Sequence, residues 1–387
     1  MLRRCDAAVT IHFMTTTRII PIGTVKIGGG LPVVLQSMTA TKTTDVERTA
    51  ETCQRLTEAG AGIVRVAVDT LHDAEALREI RRKIRGRTAV NLSVDLQENY
   101  RLAETVAPFV DKIRYNPGHL HHAEPEMPWQ TKVERIVQIA RQHDCALRIG
   151  VNCGSLGQTA EGERQTADID VALNSALQHA EFIDSLGFDR FCVSIKSSDP
   201  RAVVLANRQF AAKRPEVPIH LGLTEAGLPS GGIEKSRAAL EPLLAEGIGD
   251  TLRVSLTVPN DRKAEEIAAG RLILQNVASG KVLTEWQPEC VNIISCPSCA
   301  RVENEQFVLL AEQVQEAVRG VKVPMTIAVM GCRVNGPGET DHADIGLWCG
   351  KTQVNLKRGP TLIGSFGYNE VIENMMVLVA SMGDDAR

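Results

Sequence analysis

The sequence predicts an α/β protein of two units, an N-terminal (β/α)8 TIM-type barrel followed by a small α/β domain. Three observations predict it. Between Leu31 and Leu256, short Val- and Ile-rich runs alternate with helical stretches, the pattern of βαβ units around a parallel sheet. The chain has 387 residues, and a closed eight-stranded barrel takes about 250, which leaves roughly a hundred for a second unit. After Gly280 the alternation stops, and a region of different texture begins.

The eight candidate strands are 33–37, 63–68, 89–95, 111–115, 146–152, 190–196, 218–224 and 250–255. Eight is the count for closure, and no G-x-G-x-x-G follows the first strand as an open dinucleotide-binding sheet would prefer. Thr44 to Gly60 reads as a helix, with a capping box between Thr44 and Glu47 and a stop at Gly60. Residues 118–130, GHLHHAEPEMPWQ, read as a loop. Its three histidines invite a metal reading, but a solvated loop is the simpler account. WQPECVN at 286–292 reads as a linker. The second unit then carries a helix near 304–319, a strand 323–330, a glycine-rich turn and a helix near 368–381. The expected division is an extension 1–16, a barrel 17–285, a second domain 286–381 and a flexible tail 382–387.

Composition narrows the function. With 43% apolar and 23% charged residues the chain is globular, and a net charge of -4 gives no general attraction to nucleic acid or anionic membrane. No apolar run reaches the 18 or so residues of a membrane span. Met1 to Arg18 lacks the apolar run and cleavage site of a secretory signal and reads as a frayed extension, with Met14 as an alternative start. The ten cysteines are too dispersed for a disulfide framework, which points to a reducing cytoplasm. Cys53, Cys145 and Cys192 lie among apolar residues and read as small buried hydrophobes.

In a barrel of this type the active site lies at the C-terminal ends of the strands. There the sequence places Arg65, Asp95, Arg114, Asn116, Arg148, Asn152, Ser194, Lys196, Thr224, Glu225, Arg253 and Ser255. The pairs 114/116, 194/196 and 253/255 are two residues apart and so share a face. Five cations from five strands need an anionic partner, and a phosphate or diphosphate fits, unless some of the arginines only pair with acids between barrel layers. Asp95 and Glu225 are placed to move protons, with a structural ion pair as the other reading of each.

The second unit holds Cys296-Pro-Ser-Cys299 and Cys332. Thiolates are the ligands of iron–sulfur clusters, and a C-x-x-C turn lets two of them face one centre. The same turn alone fits a redox pair or half of a zinc site, which would have to recruit Cys290 or Cys349. The turn Asn335-Gly336-Pro337-Gly338 can swing Glu339 back toward Cys332 as an exchangeable oxygen ligand. Exposure after the turn is the alternative.

Taken together these residues resemble the bacterial family of 4-hydroxy-3-methylbut-2-enyl diphosphate synthases, through VVLQSMT at 33–39, IVRV at 63–66, IRYNPG at 113–118, RIGVNCGSL at 148–156, VSIKSSD at 193–199, HLGLTEAG at 220–227, EGIGDTLRVSL at 246–256, CPSCAR at 296–301 and MGCRVNGPGE at 330–339. The resemblance implies a four-iron, four-sulfur cluster on Cys296, Cys299, Cys332 and Glu339. It also implies that Arg65, Arg114, Arg148, Lys196 and Arg253, with Asn152 and Ser255, hold a cyclic diphosphate, and that Glu225 is the acid near the reacting carbon. The implied reaction is reductive opening of 2-C-methyl-D-erythritol 2,4-cyclodiphosphate with loss of water, the electrons arriving singly from ferredoxin or flavodoxin. A head-to-tail homodimer is implied, the cluster domain of one subunit closing the barrel of the other.

The chain departs from the family where Gln97 stands in place of the usual histidine, where the 119–130 loop is long, and where Cys349 replaces a common glycine. Gln97 puts any proton or phosphate role there in doubt, because glutamine carries no charge near neutral pH. Two rivals remain at this stage. One is a non-redox lyase or aldolase with a Schiff base on Lys196 and structural zinc; the other is an inactive barrel with a zinc module that binds RNA or protein.

Overall fold

The structure, a computed structural model, describes residues 17–85, 89–97, 99–152, 164–287 and 290–385. The extension 1–16 with Met14, the 153–156 end of one family motif, and the last two residues of the tail lie outside the described residues. A short antiparallel hairpin opens the chain, β1 (Ile20–Ile22) and β2 (Val25–Ile27). Eight parallel strands follow: β3 (Val34–Met38), β4 (Ile63–Ala67), β5 (Leu92–Leu96), β6 (Lys112–Tyr115), β7 (Ala146–Asn152), β8 (Phe191–Lys196), β9 (His220–Gly222) and β10 (Thr251–Arg253). They pair in the order β8-β7-β6-β5-β4-β3-β10-β9. A bridge between Val193 and Ile219, with Val193 N donating to Pro218 O at 3.0 Å, closes the ring. The helices between strands are α1 (Val46–Glu58), α2 (Leu71–Ile84), α3 (Ala103–Val106), α4 (Trp129–Gln142), α5 (Arg164–Ser185), α6 (Pro200–Lys213) and α7 (Pro229–Ala245), and α8 (Ala264–Ala278) follows β10. No helix of the described residues is long and apolar enough to cross a membrane.

The two faces of each strand carry different chemistry, as a period of two requires. Val64, Val66, Leu92, Val94, Ile113, Leu147, Ile149, Val193, Ile195 and Leu221 point outward and join the main core under the helices. The inward residues are polar above the floor: Lys112 Nζ donates to Gln36 Oε1 at 2.9 Å, Arg148 Nη1 to Ser194 Oγ at 3.1 Å, and His220 Nδ1 meets Thr251 Oγ1 at 3.0 Å. The floor itself is apolar. Ile20, Ile22 and Ile27 of the hairpin pack with inward Ile63, Ala146 and Cys192 in a cluster of their own, so the hairpin plugs the N-terminal mouth.

The second unit is a five-stranded sheet in sequence order, β11 (Val291–Ser295), β12 (Met325–Met330), β13 (Ile345–Cys349), β14 (Gln353–Arg358) and β15 (Thr361–Gly367). The first three strands are parallel and the last two antiparallel. Helices α9 (Gln306–Ala317) and α11 (Val371–Asp385) pack on it around a separate core that includes Phe307, Leu310, Val314, Val371 and Met375. Cys349, buried, belongs to that core.

Four sequence expectations need correction. Helix α1 is capped by Asp45, whose side chain accepts from Arg48 N at 3.2 Å, and not by Thr44, because the chain turns one residue later than the capping-box pattern requires. The 118–130 loop begins with a 3-10 turn over Pro117–His122 in which His119 is buried. Its carbonyls at Leu120 and Ala123 accept from buried Lys132 at 2.9 and 2.7 Å, and the His122 ring stacks on His119 and meets His121 edge-on. The glycine-rich turn is the start of α10 (Gly336–His342), since Pro337 in a first turn is pre-set for helix. Residues 382–385 of the expected tail continue α11.

Ile22 is fully buried in the floor. Ile22→Ala removes packing that the rigid hairpin cannot refill, and it is expected to lower stability by about 2–5 kcal/mol, read as a lower midpoint in urea denaturation.

Candidate active site

A cavity of about 90 Å³ lies between the C-terminal ends of the barrel strands and the cysteine loops of the second domain. Its lining brings together Arg65 from β4, Asp95 from β5, Arg114 from β6, Arg148 and Asn152 from β7, Lys196 from β8, Thr224 and Glu225 after β9, and Arg253 and Ser255 from the end of β10. Cys296, Cys299, Arg301, Cys332 and Asn335 complete it from above. All five cations expected from the sequence therefore share one space. Two glycines make room for them: a Cβ on Gly150 would stand 2.2 Å from Arg114 Nε, and one on Gly222 2.4 Å from Lys196 Nζ.

Asn116 and Glu339 are not among the lining residues. The Asn116 side chain accepts from Gly118 N at 3.1 Å and caps the turn after β6, a local bond that an Asn before a Pro-Gly turn makes readily. Ser194 sits one layer deeper, under Arg148.

The charges are unevenly compensated. Arg253 Nη2 lies 3.2 Å from Glu266 Oε1, which also accepts from Lys263 at 2.8 Å. Arg114 Nη1 donates to Asp95 at 2.8 Å and to Gln97, and Nη2 donates to Gly150 O at 2.8 Å. Among the described residues Arg65 donates only to the Met38 sulfur, at 3.0 and 3.1 Å. Arg148 leaves Nε and Nη2 without a hydrogen-bond partner among the described residues. Burial, with the neighbouring arginines, pushes Arg65 down to about 9 and pushes Arg148 and Lys196 well below their ordinary values. Burial raises the Asp95 carboxyl, but Arg114, Arg65 and Arg301 outweigh it and hold the group well below the usual carboxylate range.

Asp95 is a clasp. Arg301, two residues past Cys299, donates to Asp69 at 2.6 Å and to the second Asp95 oxygen at 3.1 Å, so one barrel carboxylate joins Arg114 below to the cysteine loop above. Lys42 donates to the Ala300 and Val302 carbonyls at 2.9 and 2.5 Å, Lys263 donates to the Pro297 carbonyl, and Thr257 Oγ1 donates to Cys296 O at 3.0 Å. Ala226 bridges Ser295 across the same seam.

Cys296 and Cys332 are buried and Cys299 is half-buried. Ser298 holds the C-x-x-C turn in the left-handed region at φ 60. Burial, then Cys332 and Cys299, push the Cys296 thiol well up, and burial with Cys299 pushes Cys332 up to about 12, against backbone N–H groups aimed at both sulfurs. Thiols that destabilise one another's ionised forms while receiving backbone N–H bonds are matched to a positively charged group among them, and three cysteines, two of them with such bonds, fit an iron–sulfur cluster. Among the described residues no group of three or more His, Cys, Asp and Glu closes tightly enough for a single metal ion.

Two acids stand beside this centre. Glu225, itself left-handed at φ 46, accepts from Asn335 Nδ2 at 2.8 Å through one oxygen, and its other oxygen has no hydrogen-bond partner among the described residues; burial raises its carboxyl, against Thr224 and Asn335. A buried non-glycine in that conformation is strained, as functional residues often are. Glu339, in the first turn of α10, meets Ser198 Oγ at 3.4 Å, and burial and then Glu225 push it up to about 8.

A family model described as the GcpE TIM-barrel domain matches residues 17–271, and one described as the GcpE protein C-terminal domain matches residues 292–381. The chain belongs to the GcpE family. A protein of Rhodopirellula baltica named 4-hydroxy-3-methylbut-2-en-1-yl diphosphate synthase (flavodoxin) is 55% identical over 364 residues, 93% of this chain and 94% of the relative. Relatives of the same name from Nitratiruptor sp. and Nautilia profundicola are 37% and 40% identical, over 95% and 93% of this chain and 98% and 96% of their own lengths.

In this GcpE chain, sequence reasoning missed Arg301, Asp69, Met38, Asn335 and the Lys263–Glu266 pair. Arg301, Met38 and Asn335 each carried a signal, as members of the CPSCAR, VVLQSMT and MGCRVNGPGE runs. Arg301→Met leaves half-buried Asp69 without its guanidinium and Asp95 with Arg114 alone; breaking fully buried pairs costs about 3–5 kcal/mol, which is the upper bound here. The expected result is faster proteolytic cutting of the 281–287 linker in the variant. The clasp should survive mild acid: with its folded value depressed, Asp95 contributes stability above its ordinary value of 3.8 and loses it only as pH falls through the lower folded value.

Proposed function

We propose that this GcpE chain converts 2-C-methyl-D-erythritol 2,4-cyclodiphosphate to 4-hydroxy-3-methylbut-2-enyl diphosphate in non-mevalonate isoprenoid biosynthesis, with flavodoxin or ferredoxin as electron donor. One observation carries the reading: five cations and three cysteine thiols face one cavity. The cations suit a diphosphate and the thiols suit an electron-transfer centre, and neither alone would need the other so close.

Arg65, Arg114, Arg148, Lys196 and Arg253 bind the two phosphates, and Asn152, Thr224 and Ser255 orient the sugar-derived chain. A four-iron, four-sulfur cluster on Cys296, Cys299 and Cys332, with Glu339 as fourth ligand, would supply electrons one at a time, which no protonatable side chain can do. Glu225 is the catalytic acid. Burial raises its carboxyl and so favours the protonated form, and the oxygen that has no hydrogen-bond partner among the described residues can pass a proton to the hydroxyl that departs as water. Asp95 is a positioning residue, since both its oxygens are committed to arginines. Closing the second domain over the barrel excludes water from the reacting centre. The closure is made within one chain in this structure; a head-to-tail dimer in the cytoplasm would make the same contacts between subunits.

Lys196, pushed well below its ordinary value, is the observation that favours a Schiff-base lyase. Protein purified without oxygen decides between them. It should be brown, with about four irons per chain, and Cys299→Ser should lose the colour and the iron. Arg148→Met should keep the iron and raise KM for the cyclic diphosphate by about a hundredfold, the effect of losing a charge-assisted contact. A colourless protein carrying zinc after anaerobic reconstitution would sink the redox reading and favour the lyase.

A further inference from the structure

The cavity wall between β5 and β6 ends in an amide. Gln97, one residue past β5 and 5% exposed, accepts from Arg114 Nη1, the nitrogen that also serves Asp95. A guanidinium can only donate, so the amide oxygen is the atom that faces Arg114 and the NH2 group faces away. That nitrogen, Nε2, is buried and has no hydrogen-bond partner among the described residues, although Gln97 lines the cavity where the cations gather. A buried amide N–H without an acceptor is unfavourable and rare in a folded protein. An oxygen-rich ligand in the cavity would satisfy it.

We infer that Gln97 is a specificity-determining substrate contact, its Nε2 donating to a phosphate oxygen of the bound diphosphate while its Oε1 holds Arg114 in place. The inference rests on the reading of the cavity as the cyclic diphosphate site. A neutral donor suits this wall. Six cations, Arg301 among them, already line the space, and Asp95 at this wall is already shared between Arg114 and Arg301, so a further charge would find no free acid there. The amide adds direction without charge. The other titratable group coupled to this wall, His119 on the turn after β6, is pushed down to about 4 by burial and then by Arg114, so the wall keeps a constant charge through neutral pH.

The test is calorimetric titration of the anaerobically purified holoenzyme with the cyclic diphosphate, alongside its thermal unfolding, for the wild type, Gln97→Leu, Gln97→Glu and Arg148→Met. Gln97→Leu is expected to weaken Kd roughly tenfold or more with the unfolding temperature unchanged, and to raise KM while kcat at saturation is retained. Gln97→Glu keeps an acceptor for Arg114 but loses the donor and repels the phosphate, so it is expected to bind more weakly still. An unchanged Kd in Gln97→Leu, with binding lost in Arg148→Met, would overturn this inference and leave the cavity's reading standing. A weaker Kd that comes only with a lower unfolding temperature would reduce Gln97 to a strut for Arg114 and overturn it as well. A wild type that does not bind the cyclic diphosphate at all would overturn the reading of the cavity and this inference together.

Discussion

Five positive charges side by side at the mouth of one barrel would drive the strands apart if nothing answered them, and the architecture around them follows from that. Buried cations lose several kcal/mol of hydration each unless paired. Two of the five are answered by protein carboxylates, Arg253 by Glu266 and Arg114 by Asp95. Arg65 leans on a sulfur and Arg148 on a hydroxyl, which are weak partners for a guanidinium. The site is thus pre-organised and electrostatically incomplete, and a ligand carrying the missing negative charge would be bound by groups whose desolvation has already been met during folding.

The same shortage of negative charge explains how the two domains are joined. Asp95 uses one oxygen on the barrel and the other on Arg301 of the second domain, so the group that positions Arg114 also holds the loop that carries Cys299. One carboxylate thus ties the cavity wall to the cysteine loop. Burial raises the Glu225 and Glu339 carboxyls, whereas the surrounding arginines hold Asp95 down, so acids shifted in opposite directions meet at one seam.

Much of this was legible in the sequence because strand geometry is strictly periodic. Once Arg114, Lys196 and Arg253 are placed near the ends of runs of outward Val, Ile and Leu, their convergence follows from alternation and barrel closure. Less legible was whatever depends on a single backbone turn. Asn116 shares a face with Arg114 by spacing, yet the Pro-Gly after it pulls its side chain into a cap. Glu339 was expected to swing back from a turn and instead rides a helix that Pro337 starts. The Arg301 clasp joins residues 206 positions apart, a distance over which local pattern carries no information. The strands β13, β14 and β15 went unread because glycine and polar residues interrupt them, and β15 is largely exposed.

The room for Arg114 and Lys196 is subtracted from the strands beside them, at Gly150 and Gly222. The binding site is therefore partly a negative shape, maintained by missing atoms. Evolution can erase it without touching a charged residue, since one added methyl at either glycine would evict a cation while enlarging the apolar interior. Such a protein would fold, and would look better packed than its parent, with its anion site gone. Divergence among barrels of this kind is thus best sought in the small residues that flank the charges.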